Sequence, residues 1–167
     1  FVKVEAKTRQ PHRHLHNILE LIEKADLSEK VKADATAIFR KLARAEAKIH
    51  KTTAAKIHFH EVGAVDSIID IVAVAVGIKS LDVDKFVSSP VALGSGSVVC
   101  QHGILPVPAP ATMELLRGAK VHSSGRKRQL VTPTGAAILT HYCREFGGIP
   151  EMSARQVGYG AGSFDDP

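Results

Sequence analysis

The residues best suited to chemistry are His58-Phe-His-Glu61, with Asp66 and Asp70 shortly after them. Two imidazoles separated by one residue point to the same side of an extended strand. Neutral imidazole and carboxylate together suit a divalent transition metal, and a carboxylate can also hold the second ring nitrogen in the right tautomer. His58, His60, Glu61 and Asp66 are therefore the candidate metal ligands. A plainer arrangement uses the same residues: the histidines hydrogen-bond backbone around a turn at Gly63, and Asp66 only caps the next helix. A second group, His12-Arg-His-Leu-His16, shares a face only if extended, and otherwise forms a solvated helix start. With His50, these groups hold six of the chain's nine histidines.

Thr132-Pro-Thr-Gly135 offers a different chemistry. Placed before a helix, it presents backbone N–H groups, two hydroxyls and the positive end of the helix dipole, a combination that binds carboxylate or phosphate. The same residues also make an ordinary helix cap. Gly94-Ser-Gly-Ser97 lacks the further glycine and the lysine of a phosphate-binding loop. Cys100-Gln-His102 places a thiol near an imidazole, but nucleophilic pairs usually meet through folding, and a small buried cysteine is the simpler reading. The basic residues Lys41, Arg44, Lys48 and Lys51, and the turn Arg126-Lys-Arg128, suit either phosphates or a solvated face.

These residues need elements to position them. Leu15, Ile18, Leu19 and Ile22 recur at helical spacing, and after Ser28, a candidate cap, so do Val31, Ala35, Ile38, Leu42, Ala45 and Ile49. A short strand is expected around residues 57–61. A helix follows from Asp66, apolar nearly all round, as in a buried central helix. Residues 86–91 and 98–100 read as strands, and the prolines at 106, 108 and 110 lead into a helix over 110–117 closed by Gly118. Residues 120–122 and 129–131 are expected to pair as a hairpin, and a helix is expected over 136–146. The segment 156–162 reads as a strand entering a glycine turn. The pattern predicts one α/β (α+β) domain, a mixed sheet packed with helices.

Composition excludes several classes. The 167 residues are 44% hydrophobic and 23% charged, which suits one folded domain rather than a disordered tail. Two cysteines cannot build a secreted disulfide framework, and no apolar run approaches the ~20 residues needed to span a bilayer. A cytoplasmic protein with no membrane partner is expected, and the opening residues do not read as a signal peptide. Residues 1–56 carry 13 Lys and Arg against 7 Asp and Glu, whereas residues 57–167 carry 9 against 10. That near-neutral remainder, with no Trp and two Tyr, argues against nucleic acid as a partner.

Longer runs carry a resemblance. His58-Phe-His-Glu-Val-Gly-Ala-Val-Asp-Ser-Ile-Ile-Asp-Ile71, Ser88-Ser-Pro-Val-Ala-Leu-Gly-Ser-Gly96, His102-Gly-Ile-Leu-Pro-Val-Pro-Ala-Pro-Ala-Thr112 and Leu130-Val-Thr-Pro-Thr-Gly-Ala-Ala-Ile138 closely resemble the LarC family of nickel-insertion proteins. His12-Arg-His-Leu15, Ala43-Arg-Ala-Glu-Ala-Lys-Ile-His50 and Gly158-Tyr-Gly-Ala-Gly162 fit it in the same order. The resemblance implies a nickel chelatase of the lyase class. Such an enzyme inserts Ni²⁺ into a pyridinium bisthiocarboxylate mononucleotide, completing the nickel-pincer cofactor of lactate racemase-like enzymes. It also implies that CTP, with Mg²⁺ or Mn²⁺, binds a separate C-terminal domain, so that residues 1–167 are most of an N-terminal domain and inactive alone. On this reading Thr132, Thr134 and Gly135 would meet the substrate's phosphate or a carboxylate, with His102 a nearby contact; the architecture leaves room for a homo-oligomer. The alternatives are a nickel carrier that is not an enzyme and a metal-dependent hydrolase, which would need a metal-bound water and a base such as Glu61.

Overall fold

The computed structural model describes residues 13–59, 65–100 and 103–160. In chain order they form β1 (Arg13–His14), α1 (Leu15–Lys24), α2 (Glu29–Ile49), a 3₁₀ turn (Ala54–Lys56), β2 (His58–Phe59) and α3 (Val65–Leu81). There follow β3 (Val87–Ser88), β4 (Val91–Leu93), β5 (Ser97–Cys100), β6 (Gly103–Pro106), α4 (Pro110–Leu115), β7 (Val121–Ser123), α5 (Pro133–Tyr142) and β8 (Glu145–Phe146). This is the expected mixed α/β class.

Helix α2 is the hub. Its apolar stripe buries Val31, Ala35, Ile38, Phe39, Leu42, Ala43 and Ala45, and it packs against α1, α3, α4 and α5. Ile18 and Ile22 of α1 fill one side of this core, Ile57 and Phe59 another, and Leu115, Leu116, Ala136 and Ala137 a third. The Phe59 ring meets Phe39 edge-on at 6.3 Å, which ties β2 to the hub. Burying a side chain such as Leu42 contributes about 1.5–3 kcal/mol, so α2 anchors the helices around it.

The strands form four two-stranded pairs among the described residues. Two are antiparallel, β1 with β2 and β5 with β6; two are parallel, β3 with β8 and β4 with β7. Parallel pairing needs a crossover, and the segment containing α4 supplies it between β4 and β7. The expected hairpin of 120–122 with 129–131 therefore does not form. Residues 121–123 join β4, and the basic turn folds back over Gly94. Ser124 donates from its N–H and its hydroxyl to the Leu93 carbonyl, and the Ser95 N–H donates to the Arg126 carbonyl. A Cβ at Gly94 would overlap the Arg128 carbonyl oxygen, so the glycine serves backbone packing.

Four further expectations are corrected. Helix α3 is not a central helix: Ile71 and Ala75 are buried, while Ile69, Val76 and Leu81 are exposed, because its strongest packing is on α2 alone. Helix α5 begins at Pro133 rather than 136, since proline at the first helical position has no N–H to lose, and ends at Tyr142, where Glu145–Phe146 turn aside to pair with β3. Ser28 occupies the cap position of α2, but its buried hydroxyl makes no capping bond. Residues 156–160 have no regular structure, and 161–162 lie outside the described residues.

Candidate functional site

A cleft of about 330 Å³ opens where α2 ends and α5 begins. Its size falls at the lower end of the range typical of small-molecule sites. Glu46, Ile49 and His50 from the last turns of α2 form one wall, and Val98, Val99, Cys100 and Leu105 of the β5–β6 hairpin form another. Phe59, Ser67, the start of α4 and the run Thr132–Thr134 complete the lining.

At the α5 end, local chemistry divides the expected anion-binding residues. The Gly135 N–H donates to Thr132 Oγ1 at 3.1 Å, and the Ala136 N–H to the Thr132 carbonyl at 2.9 Å. Thr132 is thus the helix cap, and the Gly135 N–H is spent on it. A Cβ on Gly135 would sit 3.3 Å from that hydroxyl oxygen, so the glycine makes room for the cap rather than for a ligand. Pro133 has no N–H. That leaves the Thr134 N–H, which the helix itself cannot satisfy, and the Thr134 hydroxyl, at the positive end of α5 on a residue lining the cleft.

Two described neighbours of the candidate metal residues, Phe59 and Ser67, line the same cleft. His58 lies in β2 opposite His14 of β1, so the pairing sets the backbones of one residue from each histidine group side by side. The rings of His14 and His16 stack at 5.5 Å, and His16 Nε2 lies 3.0 Å from the Asn17 amide nitrogen. Phe59, next to His58, lines the cleft, as does Ser67, next to Asp66. Asp66 is exposed and stands inside the first turn of α3 rather than capping it; its Oδ1 accepts from the Ser67 N–H at 2.9 Å. His60, Glu61, His102 and His12 lie outside the described residues. Among the described residues no three His, Cys, Asp or Glu side chains gather to hold a metal.

Glu46, His50 and Cys100 are cleft residues not singled out as ligands from sequence. Glu46 Oε2 lies 3.6 Å from His50 Nε2, one helical turn apart. The heptad-like spacing of α2 marks Ile49 as a stripe residue, and Glu46 and His50 flank it; that was the available signal. Cys100 is only half-buried, contrary to expectation, because β5 belongs to an open hairpin; Cys143 is the buried cysteine, and burial pushes its thiol pKa up. The basic residues of α2 are partly consumed by the fold: Lys48 Nζ lies 2.8 Å from Glu114, whose pKa this bond lowers, and Lys41 donates to the Thr140 carbonyl at 2.8 Å.

The chain matches the nickel insertion protein family over residues 1–167. It belongs to that family. A pyridinium-3,5-bisthiocarboxylic acid mononucleotide nickel insertion protein of Desulfitobacterium hafniense is 49% identical over 164 residues, 98% of this chain and 41% of the relative. A protein of the same name from Geobacillus kaustophilus is 47% identical over 161 residues, 96% of this chain and 39% of the relative. The chain therefore spans about two-fifths of the length of these nickel insertion proteins. No solved structure gives a significant match. Among the described residues no helix is long and apolar enough to cross a membrane.

Proposed function

We propose that this chain is the nickel-holding part of a chelatase that passes Ni²⁺ to pyridinium-3,5-bisthiocarboxylic acid mononucleotide. The observation that carries this reading is a convergence: the family match covers every residue, and one cleft joins the flanks of the His58–Asp66 segment to Thr132–Thr134. His58, His60, Glu61 and Asp66 hold the incoming ion through nitrogen and oxygen. The substrate's phosphate or a carboxylate binds the Thr134 N–H and hydroxyl, with His102 nearby, which sets the ring and its sulfur atoms in the cleft. Nickel then moves from nitrogen and oxygen donors to two anionic sulfur donors. Softer ligands favour that direction, and a donor set without protein thiolate avoids holding the metal too tightly. CTP, with Mg²⁺ or Mn²⁺, acts on a C-terminal domain that residues 1–167 do not include.

The test is mass spectrometry of the intact protein incubated with Ni²⁺, CTP and the dithiolated mononucleotide. A nickel adduct of the nucleotide is expected, and its loss in the His58→Ala, His60→Ala double variant. Calorimetry on the same variant should show most Ni²⁺ binding gone, and wild-type affinity should fall as protons compete below about pH 6.5. Undiminished nickel affinity in the double variant overturns the ligand assignment.

A further inference from the structure

A second cleft, of about 400 Å³, lies away from the first, between the two parallel strand pairs. Arg144 immediately precedes β8 and Lys120 immediately precedes β7, and both side chains are exposed residues of its lining. Neither has a carboxylate partner among the described residues. The one acid in the lining, Glu145, is matched by Lys85 at 2.8 Å. More positive charge stands behind this wall: the Lys41 pKa is lowered, first by burial and then by repulsion from Arg144 and Arg44. Lys120 and Arg144 thus leave the lining two cations with no carboxylate partner of their own among the described residues, and an anion would balance them.

We propose that this cleft binds the phosphate of an organic phosphomonoester. Arg144 and Lys120 grip the phosphate, while Val87, Phe146 and Pro150 give the organic part an apolar wall. Charge balance selects the ligand class. A carboxylate carries one negative charge against two lining cations, whereas a phosphomonoester approaches two and offers three oxygens to a guanidinium fork and an ammonium. Two sources supply such a phosphate, the mononucleotide of the proposed reaction or a separate metabolite of the same chemistry, and the experiment separates them.

The probes are phenyl phosphate, benzoate and nicotinic acid mononucleotide, titrated calorimetrically into the intact protein and its Arg144→Gln, Lys120→Gln and Thr134→Val variants. Phenyl phosphate should bind at least tenfold more tightly than benzoate, and each cation variant should weaken it about tenfold or more, with added salt weakening the wild type as well. Thr134→Val should leave unchanged the binding that the cation variants weaken. Unaltered thermal unfolding of the exposed-residue variants confirms that the fold is intact. Failure of phenyl phosphate to bind, equal binding of benzoate, or indifference to both cation variants overturns the proposal. If Arg144→Gln weakens the mononucleotide and Thr134→Val does not, its phosphate sits in this second cleft, and the assignment of Thr134 fails while this one stands. If only Thr134→Val weakens it, the second cleft takes a different phosphomonoester.

Discussion

Thr132 and Thr134 stand two residues apart at the same helix end; the structure makes Thr132 the cap, the proposed function gives Thr134 the ligand, and two substitutions separate these roles. Thr132→Ala removes the oxygen that accepts from the Gly135 N–H at 3.1 Å. Losing such a cap costs about 1 kcal/mol, which for a chain of this size lowers the Tm by about 2–4 °C. Thr134→Val keeps the volume and removes only a hydroxyl that caps nothing, so the Tm should stay within about 1 °C of wild type, as for surface changes away from such features. For ligand binding the order reverses. A hydrogen bond to a charged phosphate or carboxylate is worth about 1.5–3 kcal/mol, so Thr134→Val should weaken nicotinic acid mononucleotide by about 10- to 100-fold. Thr132→Ala should weaken it less, through the helix end alone. Circular dichroism melts and calorimetry on the same protein preparations read both axes. Wild-type affinity in Thr134→Val, with a lowered Tm, would refute the division of roles.

Leu42→Ala, at a fully buried position of α2, should cost about 2–5 kcal/mol in chemical denaturation. Gly94→Ala forces a Cβ into the Arg128 carbonyl, a backbone neighbour that cannot swing away, and should cost about 1–3 kcal/mol in the same assay while leaving nickel affinity unchanged. Tyr142 donates to Asp34 Oδ2 at 3.3 Å, and burial, then the charge of Asp34, raise its pKa above the ordinary value of 10.0. The unfolded chain then releases this proton first, so the contribution of Tyr142 is complete below pH 10 and fades above it. Melts between pH 9 and pH 11 should show a steeper loss in wild type than in Tyr142→Phe; parallel slopes would contradict the shift.

The helices were legible because their apolar residues recur with a period that only a helix satisfies. The stripe from Val31 to Ala45 reports its own burial, and Thr132-Pro announces a capped start even though the register of α5 was read late. Helix α3 was misread for the complementary reason: a helix apolar all round has no stripe, so its sequence does not say which face is covered. Strand pairing was legible only where a local turn suggested it, and there the suggestion failed, since 121–123 pair with β4 across a helix. Of the site, the residue types at 58–66 and 132–135 were readable from spacing. That Phe59, Ser67, Glu46, Cys100 and Thr132–Thr134 line one cleft depends on long-range packing that no local pattern encodes.

The crossover that joins β4 to β7 sets an order on biosynthesis. As the chain leaves the ribosome, α1 and α2 can dock on each other as soon as both have emerged, because their contacts are close in sequence. Strand β4 must wait for Val121, and β3 for Glu145. During that interval their ladder edges are unpaired and open to association with other nascent chains, the stage at which chaperones act. The first cleft shares the delay, since its lining runs from Glu46 to Thr134. A nascent chain halted before α5 would thus have the α2 wall of that cleft without its Thr132–Thr134 edge.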